Sequence, residues 1–183
     1  MSRIAILGWG SLIKQPKRLP LQGGWKSDGP VLKIEFSRIS NDGRLTLVID
    51  PLGSEIKTYH ARSARTELDD AICDLMIRER TSKENIGICS KNKEQNCSKN
   101  HPNILPVVQS WLDQRDDIDA LIWTDLESNY RKKRKVDFVE SDALAYLDNL
   151  SPICRAHARD YIIQAPEQTQ TKFRKHLQSK GWL

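Results

Sequence analysis

Alternating and continuous apolar runs in this chain predict β-strands, most of them in its first third. An Asn-Asp-Gly turn sequence at residues 41–43 separates two alternating segments and supplies the positive φ angles of a tight hairpin turn. Apolar runs of strand length predict the other strands. The five predicted strands are residues 4–9, 31–39, 44–50, 56–62 and 118–124.

Helical spacing of apolar residues dominates the remainder of the chain. It predicts helices over residues 67–79, 104–115, 141–150, 153–164 and 170–180. Gly181 stands where a glycine typically ends a helix. Strands that cluster early and helices that follow later favour an α+β fold over regular βαβ alternation. A length of 183 residues is typical of one domain, so residues 1–183 are expected to form a single domain.

Composition indicates the cellular compartment in which the protein is expected. The N-terminal apolar stretch is too short to span a bilayer and lacks the features of a secretory leader, so no membrane association is expected. The four cysteines show no disulfide framework. We therefore expect a cytoplasmic protein with reduced thiols; the sequence leaves its oligomeric state open.

A glycine-containing segment, Gly8-Trp9-Gly10-Ser11-Leu12, directly follows the first predicted strand. Glycines in such a loop allow a ligand to approach the main chain, and successive backbone N–H groups bind carboxylates and other oxyanions. The dinucleotide-binding and P-loop patterns are both incomplete here, and the G-x-S-x-G elbow of a serine nucleophile is absent. A plain tight turn after a core strand is the alternative interpretation.

Glu79 lies on the apolar stripe of the helix predicted over residues 67–79, four residues after Leu75 and seven after Ile72. A helix that reaches this position directs the carboxylate toward the core, and both burial and the helix C-terminus raise its pKa. Such a carboxylate is suited to acid–base catalysis. Two alternatives stay open: the helix ends before Glu79, or a cation such as Arg78 or Arg80 forms a structural ion pair with it.

Trp9-Gly10-Ser11-Leu12 resembles the Tyr-Gly-Ser-Leu signature of the gamma-glutamylcyclotransferase-like family, and the chain looks like a bacterial or phage-type branch of it. The resemblance extends over residues 34–40, 43–50, 78–79 and 122–124. It implies a small mixed β-barrel with surrounding helices, a loop that holds a gamma-glutamyl group, and Glu79 as the catalytic residue. Two positions depart from the family pattern: Trp9 replaces a tyrosine, and Arg80 replaces a glycine that often follows the glutamate.

The reaction implied by this resemblance is the cyclisation of a gamma-glutamyl-type amide to 5-oxoproline, with release of an amine or amino acid and with no metal or organic cofactor. Trp9, Gly10, Ser11 and Leu12 are then the substrate-binding loop. The partner is a small molecule with a carboxylate or another anionic group. The alternative is a non-catalytic binding module that uses the same loop for a small anionic metabolite or nucleotide.

Arg38 is a further candidate for substrate binding. Strict alternation along residues 31–39 places it on the same face as Ile34 and Phe36, where a guanidinium requires an anionic partner. The alternative is a side chain that extends from the strand end to water.

Three other features carry less functional weight. The basic run at residues 131–135 is interpreted as a solvated loop, and with few aromatic neighbours it does not favour nucleic-acid binding. The segment 89–103 is too polar for a core element and is expected to be mobile or to act as a lid. Cys89, Cys97 and His101 lack the spacing and the fourth ligand of a zinc site, so no metal is expected.

Overall fold

A computed structural model gives the fold, and it describes residues 2–183. Over this part of the chain the fold is α+β, with eight strands and seven α-helices. The strands are β1 (Ile4–Gly8), β2 (Leu21–Lys26), β3 (Val31–Ile39), β4 (Leu45–Ile49), β5 (Ser54–Lys57), β6 (Tyr59–Ser63), β7 (Ile86–Ser90) and β8 (Ala120–Thr124). The helices are α1 (Ser11–Lys14), α2 (Leu68–Glu79), α3 (Leu105–Asp113), α4 (Tyr130–Arg134), α5 (Glu140–Asp148), α6 (Pro152–Ile163) and α7 (Lys172–Ser179).

The chain divides into two compact units. The first unit takes in the chain as far as Leu32 together with Lys57–Leu126, and the second consists of Lys33–Ile56 and Glu127–Leu183. A five-stranded sheet with the order β2-β6-β1-β8-β7 belongs to the first unit, and a three-stranded sheet with the order β4-β3-β5 belongs mainly to the second. The chain therefore passes from the first unit to the second and back before it finishes in the second.

The expected β-barrel is wrong, because the two sheets are not closed into a barrel. The first sheet ends in two edge strands, β2 and β7, and the second ends in β4 and β5. Hydrophobic periodicity identifies strands but carries no information about whether the last strand pairs with the first. The α+β class is confirmed, whereas the closure implied by the family resemblance is absent.

Strand β1 forms the centre of the first sheet. All five of its residues are buried, and it pairs antiparallel with β6 on one edge and parallel with β8 on the other. Ile4 and Ile6 on one face pack with Ile72 and Leu75 of α2, and α2 also contacts β7 and β8. Since side chains along a strand alternate between faces, a strand buried on both sides must be apolar throughout.

Two strands of this sheet were not predicted from the sequence. β2 is largely exposed and contains Gly23 and Gly24, so it shows no apolar alternation. β7 is entirely buried, with Cys89 and Ser90 at its end, although the pattern assigned these two residues to a polar loop. The strand predicted at residues 56–62 is divided between β5 and β6, which belong to different sheets.

The polar segment after β7 is held in place by polar rather than apolar contacts. Cys97 exchanges two backbone hydrogen bonds with Ile88, at 2.7 and 2.9 Å. Asp125, which is fully buried, accepts hydrogen bonds from the Ser98 hydroxyl at 2.8 Å and from the Asn100 backbone N–H at 2.9 Å. The absence of apolar side chains therefore does not leave this segment without anchors, contrary to the reasoning that predicted a mobile loop or lid.

The second unit contains the predicted hairpin. β3 and β4 pair antiparallel around a turn in which Gly43 has a φ of 83°, as the Asn-Asp-Gly sequence predicts. Aromatic rings form the core beside them: Phe173 of α7 lies 6.4 Å from Phe36 and 5.6 Å from Phe138, measured between ring centroids. The Phe138 ring in turn meets Tyr130 edge to face at 5.0 Å.

Two buried charges are held within the second unit. The Arg174 guanidinium donates to the backbone carbonyl oxygens of Ile163, Ala165, Pro166 and Thr169, which follow or end α6. Glu35 is 3% exposed and accepts from the backbone N–H groups of Phe36 and Phe173, while burial raises its pKa. Backbone hydrogen bonds offset the cost of burying both groups, although Arg174 Nε has no hydrogen-bond partner within residues 2–183.

All five predicted helices are confirmed to within two residues of their ends. The C-terminal helix finishes at Ser179, and Gly181 follows with a φ of 66° while the Trp182 N–H bonds the Leu177 carbonyl. The basic run at residues 131–135 is helical rather than a loop, because it forms most of α4. Among residues 2–183, no helix combines the length and the apolar character needed to cross a lipid bilayer.

Replacing Asp125 with alanine should release the segment that follows β7. The change leaves the donors of Ser98 and Asn100 without their buried acceptor, which typically costs about 1–3 kcal/mol. We expect Asp125→Ala to lower the denaturant midpoint and to accelerate amide exchange at Asn100. Asp116→Ala, at an exposed aspartate of the same unit, should change neither; equal exchange rates at Asn100 in wild-type and Asp125→Ala protein would contradict the anchoring role.

Candidate functional site

The predicted ligand loop leaves the first sheet at the end of β1. Gly8 closes the strand, and a Cβ atom there would lie 3.0 Å from the Trp25 ring, so glycine permits that ring to pack against the strand. Gly10, which precedes α1, has φ −138° and ψ −137°. Neither glycine adopts a positive φ, and at Gly8 the close approach is made by Trp25 of this chain.

The side chains of this loop differ in what they can contact. Trp9 and Leu12 are each 6% exposed, and Leu12 belongs to the apolar core that includes Ile4 and Leu75. Ser11, the first residue of α1, is partly exposed. Any ligand at this loop therefore meets the Ser11 side chain and the backbone rather than the Leu12 side chain.

Helix α2 carries the candidate catalytic residue at its last position. Ile72 and Leu75 are buried on the inner face of the helix, and α2 continues to Glu79, so the helix does not end before the carboxylate. The Glu79 side chain is 20% exposed. Its position on the apolar stripe was predicted correctly, and the alternative of an early helix end is wrong.

Arg78 holds Glu79 against the loop. Its guanidinium donates from Nη1 to Glu79 Oε1 at 2.9 Å, and from Nε and Nη2 to the Gln15 carbonyl oxygen at 3.1 and 2.8 Å. Nη2 also makes a long contact of 3.5 Å with the Ser11 hydroxyl. The structure thus brings together Glu79, Arg78 and Ser11, and it contains the Arg78 ion pair that the sequence analysis left open.

The electrostatic balance at Glu79 raises the pKa of its carboxyl group. Burial raises the pKa of its carboxyl group above the usual 4.5, while the charges of Arg78 and Lys17 act in the opposite direction without cancelling the effect of burial. A carboxyl group with a raised pKa gives up and takes back a proton nearer to neutral pH than an exposed glutamate does.

The two carboxylate oxygens of Glu79 are not equivalent. Oε1 accepts the hydrogen bond from Arg78, whereas Oε2 accepts none from residues 2–183. One oxygen therefore fixes the orientation of the side chain, and the other has no hydrogen-bond partner within residues 2–183. This division is what a positioned proton carrier requires.

Arg38, the other predicted substrate-binding residue, belongs to the second unit. A one-residue shift in the pairing of β3 with β4, between Glu35 and Arg38, reverses the alternation along β3. Arg38 is consequently paired with Thr46. Strict alternation predicted that Arg38 shares a face with Ile34, and this prediction is wrong. Arg38 Nη1 donates to the Glu127 carbonyl oxygen at 2.7 Å, and burial lowers the pKa of the guanidinium.

The remaining candidates from the sequence are dispersed. All four cysteines are free, and burial raises the pKa of the Cys89 thiol to about 11. In residues 2–183, no three side chains of His, Cys, Asp or Glu are grouped in a way that could hold a metal ion. His60 is 3% exposed and pairs with Asp28, a contact that the separation of 32 positions in the sequence gave no means to predict.

Comparison of the chain with protein-family models, with curated proteins and with solved structures found no match.

Replacing Arg80 with glycine should be neutral or stabilising. Arg80 follows Glu79 with φ 53° and ψ 50°, a left-handed conformation that costs a non-glycine residue about 1–2 kcal/mol. Glycine removes that cost and adds about 0.5–1 kcal/mol of backbone entropy in the unfolded chain. We expect the free energy of unfolding of Arg80→Gly to equal or exceed that of wild type by up to about 1 kcal/mol. Arg80→Ala keeps the strained φ and should show no gain; a clear loss in the glycine variant would contradict the conformation.

Replacing Glu79 with glutamine should stabilise the protein more at alkaline than at acidic pH. The pKa of Glu79 is higher in the folded than in the unfolded state, so its contribution to stability is complete below about pH 4.5 and is lost as the pH rises through the folded pKa. Glutamine does not ionise. The melting temperature of Glu79→Gln minus that of wild type should therefore be larger at about pH 8 than at about pH 4. A difference that is equal at the two pH values would contradict the raised pKa of Glu79.

Proposed function

We propose that this protein is a cyclotransferase-like enzyme that converts a gamma-glutamyl-type amide into 5-oxoproline and an amine or amino acid, with Glu79 as general acid and base. The observation that carries the proposal is the state of the Glu79 carboxylate. It is mostly buried, its pKa is raised, Oε1 is held by Arg78, and Oε2 has no partner in residues 2–183. The resemblance of Trp9-Gly10-Ser11-Leu12 to the family signature supplies the substrate class.

The proposed reaction begins with removal of a proton from the substrate α-amine by Glu79 Oε2. The amine nitrogen then attacks the carbonyl carbon at the far end of the glutamyl side chain, forming the new C–N bond of a five-membered ring. The former amide C–N bond breaks, and Glu79 returns the proton to the departing nitrogen. The steps balance without a co-reactant, because one C–N bond forms, one breaks and one proton travels through the carboxylate.

Arg78 acts in this proposal as a positioning residue rather than a catalytic one. It fixes the glutamate through Oε1 and is itself fixed by the Gln15 carbonyl, so the side chain does not rotate away between the two proton transfers. Its positive charge also lowers the pKa of Glu79, in opposition to the effect of burial.

Ser11 and the backbone of Gly10 and Leu12 are the proposed contacts for the substrate. The developing negative charge on the carbonyl oxygen requires hydrogen-bond donors in a position fixed before the reaction. The Ser11 hydroxyl lies beside the Arg78 and Glu79 pair, through its 3.5 Å contact with Arg78, and is the proposed side-chain donor.

Glu79→Gln is the decisive variant for this proposal. Glutamine keeps the size and the Oε1 acceptor but carries no titratable proton, and positioned acid–base catalysis contributes about 10²–10⁴-fold. We expect the release of 5-oxoproline from a panel of gamma-glutamyl amino acids and amines to fall by about that factor. Glu67→Gln, an exposed glutamate at the other end of α2, is the matched control and should keep wild-type activity.

Arg78→Lys separates positioning from proton transfer. A lysine keeps the positive charge but loses the planar fork that bonds Glu79 and the Gln15 carbonyl together. We expect a smaller loss of activity than in Glu79→Gln. If wild-type protein releases no 5-oxoproline from any member of the panel, the enzymatic proposal is wrong. Saturable binding of the same compounds, lost on mutation of Ser11, then favours the binding module.

A further inference from the structure

A cavity of about 270 Å³ lies in the first unit beside β2 and β6. Its walls include Gly23 and Gly24 of β2, His60 and Arg62 of β6, and Lys26 at the end of β2. Neither Glu79 nor the loop at residues 9–12 lines it. The cavity therefore does not belong to the site of the proposed cyclotransferase reaction.

A bulge in β2 opens this cavity. Gln22 pairs with Arg62 and Lys26 pairs with His60, so four steps along β2 match only two steps along β6. The excess chain bows away from β6 at Gly23, which has a φ of 83°. A Cβ atom at Gly23 or Gly24 would meet no atom within 4 Å, so the absence of side chains leaves open space along this wall.

His60 lines the cavity, and only one of its two ring nitrogens makes a hydrogen bond within residues 2–183. Its Nε2 lies 2.9 Å from Asp28 Oδ1, and Arg115 holds the other oxygen of Asp28 at 2.7 Å. Because a carboxylate oxygen only accepts, the ring proton lies on Nε2, and burial lowers the pKa of His60, which favours the neutral ring. Nδ1 then has a free lone pair and receives no hydrogen bond from residues 2–183.

The position of the histidine ring is fixed by its surroundings. The ring meets Trp111 edge to face at 5.0 Å, and the Trp111 indole N–H donates to the Asp28 carbonyl oxygen at 2.8 Å. The Arg115 guanidinium lies over the same indole at 4.3 Å. Since Asp28 is held from several sides, His60 is rigid before any ligand arrives, and such a wall group binds without first losing rotational freedom.

Positive charge predominates among the side chains that line the cavity. Lys26 and Arg62 are cationic and Asp117 is the single acidic member. No carboxylate within residues 2–183 forms a salt bridge with Lys26, while Arg62 donates to the Asp117 backbone carbonyl at 2.8 Å. Lys26, which is exposed and has no salt-bridge partner within residues 2–183, is suited to an anionic ligand. The buried His60 ring is suited to a ligand that can also donate a hydrogen bond.

We propose that this cavity binds a small oxyanion that carries an O–H group, such as inorganic phosphate or a hydroxy acid. The charge of the ligand is held by Lys26 and Arg62, and its O–H group donates to His60 Nδ1. The bulge at Gly23 and Gly24 provides the space, and a volume of about 270 Å³ is large enough for a small molecule.

The test is an NMR titration of the full-length protein with inorganic phosphate, at near-neutral pH and constant ionic strength. Phosphate carries an O–H group under these conditions and sulfate does not. We expect saturable shifts in the amide signals of Gly24 and Lys26 and in the His60 ring signals with phosphate. Sulfate should bind at least about tenfold more weakly, because it cannot donate to His60.

Three variants separate specific binding from general attraction of anions. Gly24→Val fills the open space at a position where φ is not positive, and it should abolish binding while the remainder of the spectrum stays unchanged. Lys26→Gln should weaken binding about tenfold. Lys99→Gln, at an exposed lysine outside the cavity, should have no effect.

Glu79→Gln should leave phosphate binding unchanged, so failure of the cyclotransferase proposal and failure of this one are distinguishable. The proposal is overturned if phosphate causes no saturable shift in the millimolar range, if sulfate binds as well as phosphate, or if Gly24→Val binds phosphate like the wild type.

Discussion

Burial of β1 on both faces is the constraint on which the first unit depends. A strand between β6 and β8 has both edges paired, and its five residues leave no position for a polar side chain. The chain can become polar only where β1 ends, at Gly8. The loop that follows and α2, which covers the face of Ile4 and Ile6, are therefore determined by the same central strand.

The position of Glu79 follows from the packing of α2 on this sheet. Ile72 and Leu75 are fixed against the core, and helical geometry then carries the residue four positions after Leu75 to the same side. A carboxylate in such a place raises the energy of the folded state when ionised, unless a cation or a donor compensates. Arg78 compensates in part, since the pKa of Glu79 remains above its usual value despite the ion pair.

An ion pair and a catalytic role are often treated as exclusive interpretations of a buried glutamate, but the ion pair of Glu79 engages only one of its two oxygens. A structural pair in its strongest form is bidentate, with both carboxylate oxygens accepting from the guanidinium fork. Arg78 instead divides its donors between Glu79 Oε1 and the Gln15 carbonyl. The arginine therefore anchors the glutamate to the loop through Oε1 and leaves Oε2 of the glutamate unbonded.

The sequence predicted those parts of the fold that depend on local periodicity. The five long helices, the hairpin around Gly43 and the inward position of Glu79 all follow from the spacing of apolar residues within one element. What it did not predict depends on pairing between distant segments. The exposed strand β2 has no apolar pattern, and the shift between β3 and β4 that turns Arg38 to the other face has no signal in the sequence of β3 alone.

The same distinction explains why one candidate site was found and the other was missed. Glu79 and Arg78 are neighbours in the sequence, and their relation to the Ser11 loop was suggested by a short motif. His60, Asp28 and Arg115 come from three separate segments, and the cavity beside them exists because β2 bulges at two glycines. A bulge is defined by the partner strand as much as by its own residues. Gly23 and Gly24 consequently acquire a function as a cavity wall only once β6 is known to lie beside them.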